Sequence, residues 1–233
     1  MANFSFKSKA GALPGKPIKT NQDAYIVHTN FAGHKDKFFF GVCDGHGLYG
    51  HLASNFIKTH LPSNYFQRKF SLISIENLEL QYKDLPNEES QHIKEALTTA
   101  FLKTNRELFN STIDVNFSGS TTVTVLLFNT RLWCANVGDS RAIIGKFKNN
   151  SWVPLALSRD HKPDLPKEKE RILASGGRVD TFRDPYGNQV GPYRVWLKDE
   201  NVPGLAMSRS LGDGVAASAG CIPEPGICKG NYF

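Results

Sequence analysis

Asp44, Gly45, His46 and Gly47 follow a short apolar run at positions 38–43. The run predicts a buried strand, and the four residues predict a turn before a helix. A carboxylate at a strand end is held rigidly, and the carbonyl of Gly45 offers a second hard oxygen. Such ligands favour Mg²⁺ or Mn²⁺ over zinc. The same residues are also typical of an ordinary turn that caps the next helix, because Asp and Gly are common in turns.

A second acidic residue, Asp23, opens the strand that precedes this run. If the two strands pair antiparallel, the start of one lies beside the end of the other, so Asp23 would lie near Asp44. A carboxylate pair of this kind suits a divalent cation. Taken alone, the segment 21–23 is also typical of a polar strand start. Both segments nevertheless place an acid at the same end of the predicted sheet.

Two further polar segments are less specific. The segment 138–141 puts Asp139 in a β-turn, where Asp is common without any function. The segment 160–164 contains Asp160 and His161 but no further histidine at ligand spacing, so we interpret it as a turn and helix cap. The seven histidines form no HxH or HExxH pattern, and no GxSxG or GxxxxGK[ST] motif occurs. These absences argue against a zinc enzyme, a serine-hydrolase elbow and a P-loop.

Composition excludes several classes of protein. The 233 residues are 40% hydrophobic, enough for one sizeable core or at most two small domains. The net charge is +6, but the basic residues do not cluster, so nucleic-acid binding is not indicated. No run of 18 apolar residues and no apolar N-terminal segment occurs, so we expect neither a membrane span nor a signal peptide, and a protein of the cytoplasm or nucleus. The four scattered cysteines are then expected to be reduced thiols, at least two of them in strands.

The rest of the chain predicts helices and antiparallel strands. Apolar residues at helical spacing predict three helices, at about 48–61, 87–108 and 166–175. Residues of high β-propensity predict an antiparallel meander of four strands, at 122–128, 132–137, 141–145 and 152–157. The Gly- and Pro-rich stretch 187–204 is interpreted as an ordered loop or flap. The fold class is therefore α+β, with helices covering antiparallel sheets.

Seven short segments occur in an order that is specific in combination, although each is weak alone. They are KTNQDA (19–24), FGVCDGHG (40–47), SGSTT (118–122), ANVGDSR (135–141), RDHKP (159–163), ASGG (174–177) and GLAMSRSLGD (204–213). The series resembles the metal-dependent protein serine/threonine phosphatase 2C family, from about Lys19 to about Pro225. The resemblance implies a β-sandwich of two antiparallel sheets with helices on both outer faces. It also implies hydrolysis of phosphoserine and phosphothreonine in proteins with two Mg²⁺ or Mn²⁺ ions.

The resemblance assigns roles to matching residues. Asp44 would bridge both ions, the carbonyl of Gly45 would bind one of them, and Asp23 would hold metal-bound water. His46 would be the general acid that protonates the leaving alkoxide. Asp139 matches a position linked to a third, weaker metal site. Phosphoproteins are the substrates that the family implies, while the oligomeric state is not indicated.

The sequence departs from the family pattern in three ways. Gln22 stands where many members carry Glu. No Arg precedes that motif, where the family contacts phosphate, so Lys19 or Lys16 would substitute without bidentate geometry. Members continue into strands that carry two more metal-binding aspartates, so we expect residues 1–233 to be a partial phosphatase domain without its last strands and helices. On its own such a chain should bind metal weakly, with Asp139 or Asp213 the first candidates to complete the site. The alternative is a truncated, inactive relative that binds phosphoproteins or a regulatory partner.

Overall fold

The computed structural model of the chain describes residues 3–12, 14–15, 17–72, 86–128 and 130–231. Within these ranges the strands are β1 (Asp23–His28), β2 (Lys37–His46), β3 (Gly119–Ser120), β4 (Thr122–Phe128), β5 (Arg131–Val137), β6 (Ile143–Lys148), β7 (Ser151–Ala156), β8 (Gly177–Arg183), β9 (Gln189–Leu197), β10 (Pro203–Leu205), β11 (Leu211–Gly212) and β12 (Gly226–Asn231). The α-helices are α1 (Gly50–Leu72), α2 (Pro86–Phe109), α3 (Pro166–Ala174) and α4 (Gly214–Ser218).

The main sheet contains seven antiparallel strands. Its order is β11-β3-β2-β4-β5-β12, and β1 pairs with β2 beside this path. The long strand β2 pairs with β1 and β4 along most of its length, whereas its last two residues pair with β3. The end of β2 therefore lies next to both β1 and the β3–β11 pair.

Helices α1 and α2 cover one face of the main sheet. The cluster on this face buries large side chains of both sheet and helices completely or nearly so, among them Phe39, Tyr65, Leu97, Phe101 and Trp133. Full burial of one such side chain contributes about 1.5–3 kcal/mol. The predicted α+β class, with helices packed on antiparallel strands, is confirmed.

A second core joins the smaller sheet β10-β9-β8 to helices α3 and α4. Ile172 of α3, Val195 of β9 and Ala216 of α4 are all fully buried in it. The hairpin of β6 and β7 forms a separate two-stranded sheet. It lies near the face of the main sheet opposite α1 and α2, where Ala142 and Ile144 pack against a small cluster that includes Val123 of β4.

The first helix is longer than the sequence predicts. Helix α1 runs through Pro62 and reaches Leu72, although proline lacks an N–H and removes one helical hydrogen bond. The helix continues because Tyr65, one turn further, is buried and stacks on Phe31 and Phe39, with ring centroids 5.8 and 5.9 Å apart. Helix propensity at Pro62 is thus overridden by tertiary packing.

Two predictions about the β-structure are wrong. The stretch 187–204 is not a loop, since β9 occupies half of it and pairs with β8, and β10 begins near its end. Val195 on β9 is fully buried in the second core, and Trp196 is 3% exposed and donates its ring N–H to the carbonyl of Asp180, so tertiary packing decides the structure there. The four strands predicted as one meander form two hairpins, β4–β5 and β6–β7, because β12 occupies the place beside β5.

The cysteines match their prediction: all four are free thiols, and Cys43, Cys134 and Cys228 lie in strands of the main sheet. Along the described part of the chain, no helix combines the length and apolar character that crossing a membrane requires.

A buried ion-pair network joins α3 to the segment that leads into β11. Glu168 is 5% exposed, and its carboxylate accepts from Arg209 at 2.6 and 3.0 Å. Arg171 lies 2.8 Å from the same carboxylate, and Ser208 donates to it at 2.7 Å. Burial works to raise the pKa of Glu168, but these hydrogen bonds hold it well below its ordinary value. The network fixes the path of residues 208–213.

We expect Glu168→Ala to lower the free energy of unfolding by about 3–5 kcal/mol, because it leaves two largely buried guanidinium groups without a counter-ion. Chemical denaturation at neutral pH measures the change. Glu170→Ala, which removes an exposed carboxylate from the same helix, is the matched control and should change stability by less than about 0.5 kcal/mol. Equal effects of the two substitutions would contradict the structural role of Glu168.

Candidate active site

Asp23 and Asp44 lie directly opposite each other on β1 and β2. The antiparallel pairing predicted from the sequence is therefore confirmed, and backbone hydrogen bonds hold both carboxylates at the same end of the main sheet. Partial burial raises the pKa of Asp44, and the charges of Asp23 and Asp139 raise it further. These carboxylates repel one another, and a cation between them would relieve the repulsion.

The turn after Asp44 is fixed by its neighbours on both sides. Gly45 donates its N–H to the carbonyl of Gln22 at 3.1 Å, and a Cβ at position 45 would lie 2.6 Å from that oxygen. The Gln22 side chain donates from Nε2 to the carbonyl of Gly47 at 2.6 Å. A glutamate at position 22 would have no proton to donate when ionised, so the amide supports the turn in a way that a carboxylate would not.

Thr121 connects the end of β2 to the turn that contains Asp139. Its hydroxyl accepts from the N–H of Asp44 at 3.1 Å and lies 2.6 Å from the hydroxyl of Ser140. Its own N–H donates to the carbonyl of Asp44 at 3.0 Å. Asp139 is thereby brought close enough for its charge to raise the pKa of both Asp44 and His46.

The Asp139 turn is held by the segment that the sequence predicts to be a structural turn. The ring nitrogen Nδ1 of His161 accepts from the backbone N–H of Gly138 at 3.1 Å, and the backbone N–H of His161 donates to the Gly138 carbonyl at 3.0 Å. Lys162 lies 2.5 Å from the Asp139 carboxylate. Arg141 makes a bidentate pair with Asp160, with both distances 2.8 Å.

The ring of His46 contacts the carboxylate of a buried aspartate. Its Nε2 is 2.7 Å from Oδ2 of Asp213, which is 3% exposed. Burial works to lower the pKa of His46, but the hydrogen bond and charge of Asp213, followed by the charges of Asp44 and Asp139, raise it above its ordinary value. The ring therefore favours the protonated form, which is the form that can donate a proton.

Lys19 is not brought into this cluster. It is exposed, lies in a segment without regular secondary structure, and makes no side-chain hydrogen bond or ion pair with the described carboxylates. Lys16, the other lysine considered for phosphate, lies outside the described residues.

Sequence reasoning missed the supporting roles of Gln22, Thr121 and Lys162, and it assigned Asp213 only as a possible completion of the metal site. Asp213 instead contacts His46, which is 167 positions away along the chain. The only sequence signal for these residues is their place inside four of the seven segments that carry the resemblance, 19–24, 118–122, 159–163 and 204–213.

The donor set fits a hard divalent cation in part. Asp23, Asp44 and the Gly45 carbonyl supply oxygen, the ligand type that Mg²⁺ and Mn²⁺ prefer. Asp139 is already paired with Lys162. Across the ranges that the structure describes, no three His, Cys, Asp or Glu side chains converge closely enough to hold a metal ion. A bound ion would thus keep much of its coordination to water.

Comparison with known proteins identifies the family. The model of the family "Protein phosphatase 2C" matches residues 18–231. The chain belongs to the protein phosphatase 2C family. All seven segments that carry the resemblance lie within the matched range.

Curated relatives agree with this assignment. A probable protein phosphatase 2C 35 from Arabidopsis thaliana is 35% identical over 238 residues, which cover 96% of this chain and 63% of that protein. A probable protein phosphatase 2C 65 from the same plant is 38% identical over 209 residues, covering 88% of this chain and 54% of its own length. The chain therefore spans between half and two thirds of the length of these phosphatase 2C relatives.

Solved structures support the fold. A serine-threonine phosphatase 2C from Toxoplasma gondii aligns with a TM-score of 0.70 at 23% identity and covers 91% of this chain and 73% of its own. A C. elegans sex determining protein aligns with a TM-score of 0.68 at 19% identity, covering 97% of this chain and 48% of its own. At these identities the likeness concerns the arrangement of the phosphatase 2C fold.

We expect the stability of the phosphatase 2C domain to fall in acid because of His161, whose neutral ring holds the turn that contains Asp139. Burial, followed by the charge of Arg209, lowers the pKa of His161 to about 4, below the ordinary value of 6.5. The unfolded chain therefore binds a proton first, and the stability supplied by the neutral ring is lost as pH falls from about 6.5 to 4.

The test compares wild type with His161→Asn, whose side-chain oxygen can still accept from Gly138 but does not titrate. Urea unfolding in EDTA, measured at several pH values, should show an additional loss on the order of 3 kcal/mol in wild type across this window. Parallel pH profiles for the two proteins would contradict the assignment.

Proposed function

We propose that this chain forms part of a metal-dependent protein serine/threonine phosphatase. Membership of the phosphatase 2C family and the names of the plant relatives support this activity. Because the chain spans only part of those relatives, the activity and the phosphoprotein substrates of the whole protein belong to the proposal. None of the relatives named here favours the alternative of an inactive binding protein.

The observation that carries the proposal is the opposition of Asp23 and Asp44 across β1 and β2, with His46 two residues further along β2. The arrangement combines oxygen ligands for a cation with a proton donor at the same sheet end. Both accelerate the hydrolysis of a phosphate monoester, because the phosphoryl group is strongly anionic and a serine alkoxide is a poor leaving group.

Mg²⁺ or Mn²⁺, two ions in a complete site, is the cofactor that we propose. When bound, such ions lower the pKa of a water nucleophile and neutralise charge on the phosphoryl oxygens. Asp44 and the carbonyl of Gly45 would be direct ligands, and Asp23 would orient water in the coordination sphere. Asp139 would contribute to a weaker third site once Lys162 moves away from it.

His46 is the proposed general acid. Burial of the ring works to lower its pKa, but Asp213 and the other carboxylates raise it above the ordinary value, so the protonated form that a general acid needs is favoured. Transfer of that proton to the leaving serine oxygen would contribute about 10²–10⁴-fold to the rate. We propose Lys19 as a phosphate contact; its exposed side chain would have to approach the substrate when it binds.

We expect Asp44→Asn to reduce metal-dependent hydrolysis of a phosphoserine peptide by roughly a thousandfold, since several kcal/mol of charge stabilisation depends on cations at this position. Calorimetry should show weaker Mn²⁺ binding. Without metal, Asp44→Asn should be at least as stable to heat as wild type, because it removes a carboxylate whose pKa is raised by its neighbours. Asp36→Asn, at an exposed position, is the control. Wild-type turnover in excess EDTA would refute the role of the metal.

We expect His46→Ala to slow phosphoserine hydrolysis by roughly 10²-fold or more and aryl phosphate hydrolysis by far less, because an aryl oxide leaves without a proton. Steady-state kinetics with both substrates and saturating Mn²⁺ provide the measurement. Equal losses on the two substrates would show that His46 is structural rather than the acid.

A further inference from the structure

The carboxylate of Asp213 is buried and contacts the His46 ring and one hydroxyl group. Its carboxylate oxygen Oδ2 lies 2.7 Å from Nε2 of His46 and 2.5 Å from the hydroxyl of Ser210. The residue is 3% exposed, so solvent does not compete for these contacts. A buried carboxylate requires such partners, because its burial is otherwise strongly unfavourable.

The sheet delivers Asp213 to His46 through Gly119. His46 pairs with Gly119 across β2 and β3, and Gly119 pairs with Gly212 across β3 and β11. Asp213 follows β11 directly, so its carboxylate reaches the His46 ring across Gly119. A Cβ at position 119 would overlap with the Asp213 carboxylate, which means that a side chain there would close the gap between the two partners.

The backbone of Asp213 is strained, and its side chain does not serve its own helix. Its φ and ψ are 51° and 58°, in the left-handed region that residues other than glycine seldom adopt. Asp213 occupies the N-cap position of α4, where an aspartate commonly accepts from the helix N–H groups, yet it makes no such bond. Its N–H donates to the carbonyl of Ser118 at 2.9 Å instead. The conformation thus directs the carboxylate towards His46.

We infer that Asp213 is the positioning residue for His46: it accepts the Nε2–H bond, fixes the orientation and tautomer of the ring, and leaves Nδ1 to protonate the leaving group. This inference rests on the proposed function for the role of the acid, but the pairing itself does not. Nδ1 of His46 is buried and has no hydrogen-bond partner among the described residues, so the ring keeps one unused hydrogen-bonding position, which a substrate oxygen would fill.

The proton transfer balances on the residues named. As the bond between phosphorus and the serine oxygen breaks, a water oxygen bonds to phosphorus, and the Nδ1 proton passes to the serine oxygen and gives the free alcohol. One water proton stays on the phosphate product as its hydroxyl, and the other passes to solvent, from which Nδ1 is protonated again. The ring becomes neutral and keeps its proton on Nε2, still bound to Asp213. Because the ring stays in place, the next turnover needs only a proton on Nδ1.

The first test reads the tautomer of His46 by nitrogen-15 NMR of the imidazole and requires no enzymatic activity. At alkaline pH, where the ring is neutral, wild type should carry its proton on Nε2. Asp213→Asn and Asp213→Gly, both of which tolerate left-handed backbone, should lose this preference. Asp199→Asn, the same chemical change at an exposed position, should retain it. An unchanged His46 signal in both Asp213 variants would overturn the inference.

The second test asks whether Asp213 acts through His46. With Mn²⁺ saturating, Asp213→Asn should slow phosphoserine hydrolysis by roughly ten- to a hundredfold, with aryl phosphate hydrolysis changed by less than about threefold. In a His46→Ala background the same substitution should have little further effect. A full further loss in that background, or equal losses on both substrates, would overturn the positioning role. Thermal unfolding checks that each variant is folded.

The two tests separate the inference from the proposed function. If wild type shows no metal-dependent hydrolysis of phosphoserine, the proposed function fails, and the tautomer measurement still decides whether Asp213 controls the His46 ring. If wild type is active but the tautomer is insensitive to Asp213, the proposed function stands and the inference fails.

Discussion

Repulsion among carboxylates is the constraint around which this end of the protein is organised. Partial burial raises the pKa of Asp44, and the charges of Asp23 and Asp139 raise it further, so ionised Asp44 is unfavourable without a cation. Asp23 and Asp44 stay in place because backbone hydrogen bonds of the seven-stranded sheet hold them, and not contacts of their own side chains. A large core on the other face of the sheet, beneath α1 and α2, supplies the stability that the acidic end lacks.

Local patterns predicted those parts of the structure that depend on neighbours in sequence. The apolar run before Asp44 and the acid at the start of the preceding strand were enough to predict the β1–β2 pairing, because antiparallel strands bring opposite ends together. The α+β class followed from the periodicities of 2 and 3.6 residues. The prediction of a loop at 187–204 was wrong because Val195 is buried in a core assembled from distant segments, while Trp196 is buried and donates to the carbonyl of Asp180.

The residues of the site also divide into those that sequence neighbours predict and those that distant segments supply. Asp23, Asp44 and His46 lie on two adjacent strands, and the predicted pairing of these strands already places them near one another. Asp213 and Lys162 come from segments whose pairing with the site depends on β3, β11 and the turn at 138–141. No periodicity in a single sequence encodes such meetings, since they depend on the order of strands in the sheet. Only the family resemblance indicated that these segments belong together.

Gly119 has a consequence for how the protein could change over time. The gap between His46 and Asp213 is set by a hydrogen atom where every other amino acid carries carbon. A single nucleotide change that introduces a methyl group there would separate an acid from its support without altering either partner. The changed protein would still contain every reactive side chain, including both His46 and Asp213. Its loss of chemistry would be visible only in the backbone, at a residue that has no functional group to lose.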